Sequence, residues 1–253
     1  MFISTVSNSK LNSFQQCRLK YRYRYVDKLK GHTPLNQNAL NFGSYIHKIF
    51  EDGVASTTRK ELQTIADGLQ ENYSISGEEG RTSKCIDNFL RFNASLSETV
   101  STEQRFEVEL KKDITLNGII DRVIKGKEGG YLVVDYKTSK REKSKVDLFQ
   151  DDQLKGYVYA VHKLYDVPIE KVVAAHYYPL TDNFVSVKYS PNQINAHLKR
   201  IVDEVWTIRK CKKTDLNPSR NEFCNWCEYK TLCPVFEDSV IIEERLTKLK
   251  SKD

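Results

Sequence analysis

Two carboxylates and one ammonium group recur over a short stretch of the chain. Asp121 ends the run Gly118-Ile119-Ile120-Asp121, and after a glycine-rich turn the sequence reads Asp135-Tyr136-Lys137. Carboxylate oxygens are the hard ligands that Mg²⁺ or Mn²⁺ requires, and such an ion can polarise a phosphate oxygen and activate water. A nearby ammonium could orient that water. The pattern favours a metal-dependent phosphodiesterase site, although an isolated Asp-x-Lys is more often a surface ion pair.

The residues before these charges predict the strands that position them. Two apolar runs rich in β-branched residues, 118–124 and 131–134, are separated by glycines and are expected to pair. Side chains alternate along a strand, so Asp135 and Lys137 should share one face while Tyr136 points to the other. A buried strand would then deliver a carboxylate and an ammonium to one cleft.

Two predicted helices carry further candidates. Apolar residues recur at helical spacing over 147–166, and Gln153 and Tyr157 sit one turn apart there. His47 lies on an earlier helix with an apolar face, in Gly43-Ser44-Tyr45-Ile46-His47. A neutral imidazole can complete a carboxylate and histidine metal site, although a lone helical histidine more often packs in the core. The remaining histidines are expected to be structural or solvated: His32, His162, His176 and His197.

The cysteines form a second pattern. Cys224, Cys227 and Cys233 have the spacing C-x₂-C-x₅-C, and Cys17 lies roughly 200 residues upstream. Four thiolates could hold a tetrahedral Zn²⁺. Free or disulfide-bonded thiols are the alternative, but we expect no secretory signal and a reducing cytoplasmic location. Cys85 and Cys211 fall outside the pattern and are expected to be ordinary thiols.

In their order along the chain, Gly-x-x-Asp, Asp-x-Lys and Gln-x-x-x-Tyr resemble the nuclease core of the PD-(D/E)XK superfamily, in its RecB-like and Cas4-like branch. That branch also carries a histidine on an early helix, which His47 matches. The resemblance implies an α/β fold with a restriction-endonuclease-like core, a central mixed sheet flanked by helices, an added helical part and a C-terminal iron-sulfur segment.

The resemblance also implies a role for each matching residue. The Mg²⁺ or Mn²⁺ ligands would be Asp121, Asp135, His47 and the carbonyl of Tyr136. Lys137 would be the catalytic ammonium, and Gln153 and Tyr157 would orient Lys137 or the DNA, although Tyr157 could equally belong to the core. Glu107 and Glu109 could approach the metal but are expected to line a solvent face.

The split arrangement of cysteines resembles iron-sulfur nucleases of the Cas4 and AddB type. The resemblance implies a [4Fe-4S] cluster held by Cys17, Cys224, Cys227 and Cys233. Such a cluster would pin together two segments that are far apart in sequence and would restrict the unfolded chain.

Length and patterning predict one nuclease domain over 1–253, because 253 residues can bury a substantial core. Its expected parts are an N-terminal cluster-ligand helix (1–30), a helical part (41–100), a nuclease core (103–213), a cysteine segment (214–236) and a tail (237–253). No apolar run is long enough to cross a bilayer, so we expect a soluble protein.

Charge suggests a polyanionic partner. Lysine and arginine number 40 and aspartate and glutamate 34, giving a net charge of +6. Basic residues cluster over 137–145, 209–213 and 20–28, and in the last stretch they alternate with Tyr21, Tyr23 and Tyr25, which could stack on unpaired bases. Solvated charged faces are the plain alternative.

The resemblance therefore implies a metal-dependent DNA nuclease, by its branch an exonuclease on single strands or duplex ends, acting in DNA recombination, repair or processing. The sequence has no helicase motif, so a helicase or recombination partner would supply unwinding. The alternatives are a DNA-binding or assembly module of a recombination or CRISPR-adaptation complex with little cleavage, and a zinc-binding structural protein.

Overall fold

The computed structural model describes residues 3–31 and 37–250, apart from the side chains of residues 37, 127 and 250. The chain divides into a larger compact unit, Asn38–Arg200, and a smaller one, which combines Met1–Gln37 with Ile201–Asp253. Among the described residues, no helix is both long and apolar enough to span a membrane.

The helices and strands follow the order β1 (Thr5–Val6), α1 (Asn8–Gln16), α2 (Arg18–Tyr21), α3 (Gln37–Asp52), α4 (Arg59–Leu69), α5 (Glu79–Ala94), β2 (Thr99–Lys111), β3 (Ile114–Lys125), β4 (Tyr131–Tyr136), α6 (Lys145–Phe149), α7 (Asp152–Leu164), β5 (Val172–Tyr178), β6 (Asn183–Lys188), α8 (Pro191–Lys210) and α9 (Ser239–Lys250).

A mixed sheet forms the centre of the larger unit. Strand β3 pairs antiparallel with both β2 and β4, β4 pairs parallel with β5, and β5 pairs antiparallel with β6. The parallel pair needs a crossover, which α6 and α7 supply. The α/β class and the mixed sheet flanked by helices are therefore confirmed.

The crossover is two helices, where the apolar spacing over 147–166 predicts one. Ser144 caps α6 in a capping box with Asp147. Asp151 then caps α7 by accepting a hydrogen bond from the Leu154 N–H. A second cap within one turn of the first helix interrupts the pattern, because the cap residue takes an extended backbone.

Helices α3 and α5 cover one face of the sheet. Their buried residues, which include Ile46 and Phe50 of α3 and Phe89 of α5, form one core with Tyr136 and Tyr177 from the strands. Helix α7 packs against the sheet, where the ring of its Tyr157 meets Phe106 edge-on. The predicted alternation on β4 is confirmed, since Tyr136 enters the α3–α5 core while Lys137 reaches α7.

The smaller unit joins segments that are distant in sequence. Tyr23 donates a hydrogen bond to the Leu232 carbonyl (3.0 Å), and Tyr229 donates to the Leu29 carbonyl (2.9 Å). Leu19, Tyr23, Tyr229 and Leu232 form its described core, against which Cys17, Cys227 and Cys233 pack.

This packing corrects one expectation about the tyrosines. Tyr21 and Tyr23 are only 2% and 5% exposed, so they cannot stack on bases. The backbone passes from α2 directly into a π-helical turn, Arg22–Val26, and the rings enter apolar contacts with Phe14 and Tyr229 instead. Tyr25 is half-buried.

Candidate active site

Four polar residues lie at one level of the sheet, each on a different strand. Glu103 on β2 stands opposite Asp121 on β3, because the residues on either side of Glu103 pair with those on either side of Asp121. Asp121 faces Asp135 one position beyond the end of the β3–β4 ladder, and Asp135 pairs with His176 on β5. The backbone N–H of Tyr136 donates to Asp121 Oδ2 (2.7 Å), which fixes that carboxylate.

His47 reaches this row from α3. Its Nδ1 lies 3.5 Å from Asp121 Oδ2, and its Nε2 lies 3.0 Å from the carbonyl oxygen of Tyr136. One donor atom each from His47, Glu103 and Asp121 falls within 4.8 Å of the other two. These three residues border an open cleft of about 480 Å³. The volume of one water is about 30 Å³, so the cleft can admit a phosphate group and several waters.

The electrostatics of this group favour a bound cation. Burial, reinforced by the charge of Asp135, raises the pKa of Asp121 well above its usual range. Burial also raises the pKa of Glu103, and Glu51 adds to the effect. For His47, burial lowers the pKa, so its imidazole is neutral and can act as a ligand. Crowded carboxylates beside a neutral imidazole suit a divalent ion, which would restore their charged forms.

Asp135 belongs to a second chain of contacts behind this group. It is 2% exposed, and Lys137 Nζ lies 2.6 Å from its Oδ2. The same ammonium donates to Gln153 Oε1 (3.2 Å), and Gln153 Nε2 donates to the Tyr157 hydroxyl (2.6 Å). Lys137 thus lies between the Asp135 carboxylate and the Gln153 amide, and that amide donates a hydrogen bond to Tyr157. Burial raises the pKa of the Tyr157 hydroxyl.

Packing explains why a glycine, Gly118, occupies the first position of the Gly-x-x-Asp motif. It pairs with Phe106 across β2 and β3, and a Cβ at this position would meet the Phe106 ring at 2.8 Å. The ring can lie over the glycine and reach Tyr157 only because no side chain stands there. The motif therefore sets the packing beneath the Lys137 contacts, three residues before Asp121.

Sequence reasoning missed Glu103. Glu107 and Glu109 were considered instead, and both are exposed as expected. Glu103 lies inside β2 with a left-handed backbone (φ 46°), which is rare for a residue with a side chain and more common at functional sites. Its position opposite Asp121 is the signal that could have identified it, but that position depends on the register.

The other histidines have defined surroundings. His176 is fully buried beside Asp135, and His197 is buried with its Nδ1 3.4 Å from Asp152 Oδ1. His162 Nδ1 lies 2.7 Å from the Val167 carbonyl. His162 and His197 thus contact neighbouring groups of the protein, and their expected structural or solvated role stays a prediction, while His32 lies outside the described residues.

The basic stretch after β4 is only partly available to a ligand. Lys143 Nζ lies 2.6 Å from Asp151 Oδ2, and the backbone N–H of Lys143 donates to the Tyr178 hydroxyl (2.8 Å). Lys140, Arg141 and Lys145 are exposed. The Lys143 contacts anchor the segment, and the three cations beside it remain exposed.

The four patterned cysteines come together in the smaller unit. Cys17 occupies the extended residue between α1 and α2, and Cys224, Cys227 and Cys233 lie in or directly after short 3₁₀ turns. All four are free thiols that border one cavity, together with Lys20, Arg220, Phe223, Lys230 and Phe236.

The arrangement of these sulfurs can be compared with that of a zinc site. Tetrahedral zinc, with Zn–S bonds near 2.3 Å, would bring its thiolates to about 3.8 Å from one another. Among the described residues, no three cysteine sulfurs lie within 4.8 Å of one another. The described thiols are therefore not arranged as a single tetrahedral zinc ion would hold them.

Comparison with known proteins agrees with the α/β fold. A family model described as the PD-(D/E)XK nuclease superfamily matches residues 5–234. A curated relative from Streptococcus agalactiae, named as a subunit of an ATP-dependent helicase/deoxyribonuclease, is 31% identical over 150 residues, 53% of this chain and 14% of that protein. Its namesake from Streptococcus mutans is 24% identical over 218 residues, 76% of this chain and 20% of that protein.

The chain thus spans only about a seventh to a fifth of the length of these relatives. A crystal structure of a candidate exonuclease from Eubacterium rectale has the same fold, with a TM-score of 0.57, 16% identity and coverage of 89% of this chain and 88% of that one. Because the family model covers nearly the whole chain, and the sheet carries the family's Asp, Asp-x-Lys order, this protein belongs to the PD-(D/E)XK nuclease superfamily.

Proposed function

We propose that the chain is a metal-dependent deoxyribonuclease. The observation that carries the proposal is the convergence on one cleft of His47, Glu103 and Asp121, with Asp135 and Lys137 next to them on the sheet. A binding module has no need for a neutral imidazole, crowded carboxylates of raised pKa and an oriented ammonium in one place.

His47, Glu103, Asp121, Asp135 and the Tyr136 carbonyl are the proposed ligand set for Mg²⁺ or Mn²⁺. When bound, the ion would polarise the scissile phosphate and lower the pKa of a bound water. The Tyr136 N–H holds one oxygen of Asp121, and β4 fixes the neighbouring carbonyl in the same cleft. The donor atoms of His47, Glu103 and Asp121 already lie within 4.8 Å of one another, so these three ligands need little rearrangement.

Lys137 acts as a cation and hydrogen-bond donor, not as a general base. Burial alone would lower its pKa, but the charges of Asp135 and Asp121 outweigh burial and raise it. An ammonium that stays protonated cannot accept a proton from water. It can orient the attacking water and offset the negative charge that develops on the phosphate, while Gln153 fixes its direction.

The finer proposals are exonuclease action on single strands or duplex ends, and a place in DNA recombination or repair beside a helicase. Support comes from the relatives named as helicase/deoxyribonuclease subunits. The exposed cations after β4 offer the charge that a phosphate backbone needs.

We further propose that Cys17, Cys224, Cys227 and Cys233 hold a [4Fe-4S] cluster. Four free thiols that border one cavity support it. The lysines and the arginine around the cavity would offset the negative charge of the thiolates and cluster. None of these cysteines belongs to the larger unit, so the cluster would be structural.

One digestion series tests the proposed function. Single-stranded and duplex DNA, labelled at either end, and circular single-stranded DNA are incubated with the protein and Mn²⁺, Mg²⁺ or EDTA. We expect metal-dependent loss of linear DNA and survival of circles. Cleavage of circles would indicate an endonuclease. DNA binding with no cleavage of any substrate under any metal would overturn the proposal and favour the binding module.

A further inference from the structure

His176 lies at the end of the polar row on the sheet. It is 0% exposed, and its Nε2 lies 3.7 Å from Asp135 Oδ2 and 3.8 Å from Asp151 Oδ2. Sequence reasoning gave this residue only a structural or solvated role. Because solvent cannot reach the His176 ring, its N–H group can form a hydrogen bond only with neighbouring protein atoms.

The contacts of the ring determine which nitrogen carries the proton. Nδ1 lies 3.3 Å from the Tyr178 hydroxyl, and that oxygen already accepts the backbone N–H of Lys143. The hydroxyl hydrogen is therefore free to be donated to Nδ1. The opposite tautomer would aim the lone pair of Nε2 at two carboxylates, which is repulsive. The favoured tautomer carries its hydrogen on Nε2.

The two carboxylates differ in their need for this hydrogen. Asp151 already accepts the Leu154 N–H and contacts Lys143 Nζ at 2.6 Å. Asp135 Oδ2 forms an ion pair with the Lys137 ammonium at 2.6 Å, and apart from that contact neither this oxygen nor His176 Nε2 has a hydrogen-bond partner among the described residues. These two buried atoms face each other, and a shift of about 0.5 Å would bring them within bonding range.

We propose that His176 is a positioning residue whose Nε2–H donates to Asp135 Oδ2 and holds that carboxylate in its metal-binding orientation. The inference rests on the proposed function, because it gives Asp135 the role of a metal ligand. Hydrogen bonds to ligating side chains fix their direction, and their loss commonly weakens metal binding about 10- to 100-fold. Tyr178 contributes to the same interaction, because its hydroxyl favours the His176 tautomer that carries its hydrogen on Nε2.

The test is calorimetric titration of the full chain with Mn²⁺ in the absence of DNA, together with thermal melting. His176→Leu keeps apolar volume and removes the donor, and we expect its Mn²⁺ affinity to fall about tenfold or more. His176→Gln keeps an N–H at a similar distance and should stay within about threefold of the unmodified chain. The matched control, His197→Leu, removes another buried histidine from the same unit and should leave Mn²⁺ affinity unchanged.

The outcomes separate this inference from the proposed function. Unchanged Mn²⁺ affinity in His176→Leu overturns the inference, even if the unmodified chain cleaves DNA. A selective loss of affinity in His176→Leu, in a chain that cleaves nothing, supports the inference and removes the nuclease proposal. If His176→Leu does not fold, Tyr178→Phe decides: affinity weakened threefold or more supports the role of the tautomer, and unchanged affinity overturns it.

Discussion

Glu103 stands directly across the β2–β3 hairpin from Asp121, in a left-handed backbone conformation. We expect Glu103→Gln to raise the Mn²⁺ concentration needed for half-maximal cleavage about tenfold or more, because a charged ligand is lost. Glu107→Gln, on the exposed face of the same strand, is the matched control and should behave like the unmodified chain.

The backbone of Glu103 gives an independent test. In an ordinary strand, glycine is less stable than alanine. At φ 46° we expect the opposite order of stability, because only glycine adopts this region without strain. Glu103→Gly should therefore be about 1 kcal/mol more stable than Glu103→Ala. Chemical denaturation of the two metal-free variants measures the difference. A more stable alanine variant would show that the left-handed conformation is absent.

Stability of the metal-free protein should depend on Asp121. Burial and Asp135 raise its pKa in the folded state, so the protonated carboxyl favours folding. That contribution is fully present below the unfolded value of about 4 and is lost as pH rises through the raised, folded value. At pH 7 without metal, Asp121→Asn should melt a few degrees above the unmodified chain, and the gap should close at about pH 4.

A divalent ion should reverse this difference. Ca²⁺ or Mn²⁺ would stabilise the unmodified chain, which keeps the carboxylate, more than Asp121→Asn. Melting curves with and without the ion, at fixed pH, measure this. Equal stabilisation of both proteins would show that Asp121 is not a ligand.

Lys137 and Gln153 should separate catalysis from metal binding. Lys137→Ala should lower kcat by two or more orders of magnitude and leave Mn²⁺ affinity intact, because it removes a charge that acts on the phosphate. Gln153→Ala should lower kcat about tenfold without changing KM, since it only releases the ammonium. Gln150→Ala, exposed at the end of α6, is the control. A loss of Mn²⁺ affinity in Lys137→Ala would contradict its role.

The cysteines are tested by iron and acid-labile sulfide analysis of protein purified without air. Cys17→Ala and Cys233→Ala should lose the brown cluster and melt at lower temperature. Cys211→Ser is the better control, because Cys85 is fully buried in the α3–α5 core and its replacement by alanine would itself leave a cavity. Full cluster content in Cys17→Ala would refute the N-terminal ligand.

Gly118→Ala should act on the active site through packing. Its Cβ would displace the Phe106 ring, which contacts Tyr157. We expect a loss of about 1–3 kcal/mol in the free energy of unfolding and a lower kcat. Gly68→Ala is the control, because its Cβ would meet no atom within 4 Å. Unchanged stability in Gly118→Ala would mean that the ring has room to move.

Much of the sheet could be predicted from sequence, because alternation and β-branched runs report directly on strands. The apposition of Asp135 with Lys137, and the one-turn spacing of Gln153 and Tyr157, follow from period alone. The order of the three motifs along the chain predicts that these residues belong to one active site.

Glu103 could not be found this way, because register decides its face. The cross-strand pairing slips by one residue between Glu109 and Lys111, so β2 carries one extra residue there. Counting from the turn without this bulge would place Glu103 opposite Arg122, on the wrong face of the sheet. His176 was missed for a related reason, since its partner Asp135 lies on a strand joined to it only through a long crossover.

The hydrogen bond between Tyr23 and Leu232 joins residues 209 positions apart, which has a consequence for biosynthesis. At about 5–20 residues per second, a ribosome needs on the order of 10–40 seconds to make the stretch between them. Throughout that interval Leu19 and Tyr23 lack Tyr229 and Leu232, the other residues of their core. The nascent chain therefore exposes an apolar, aromatic segment while Asn38–Arg200 is synthesised. A chaperone that binds such segments should raise the yield of folded protein.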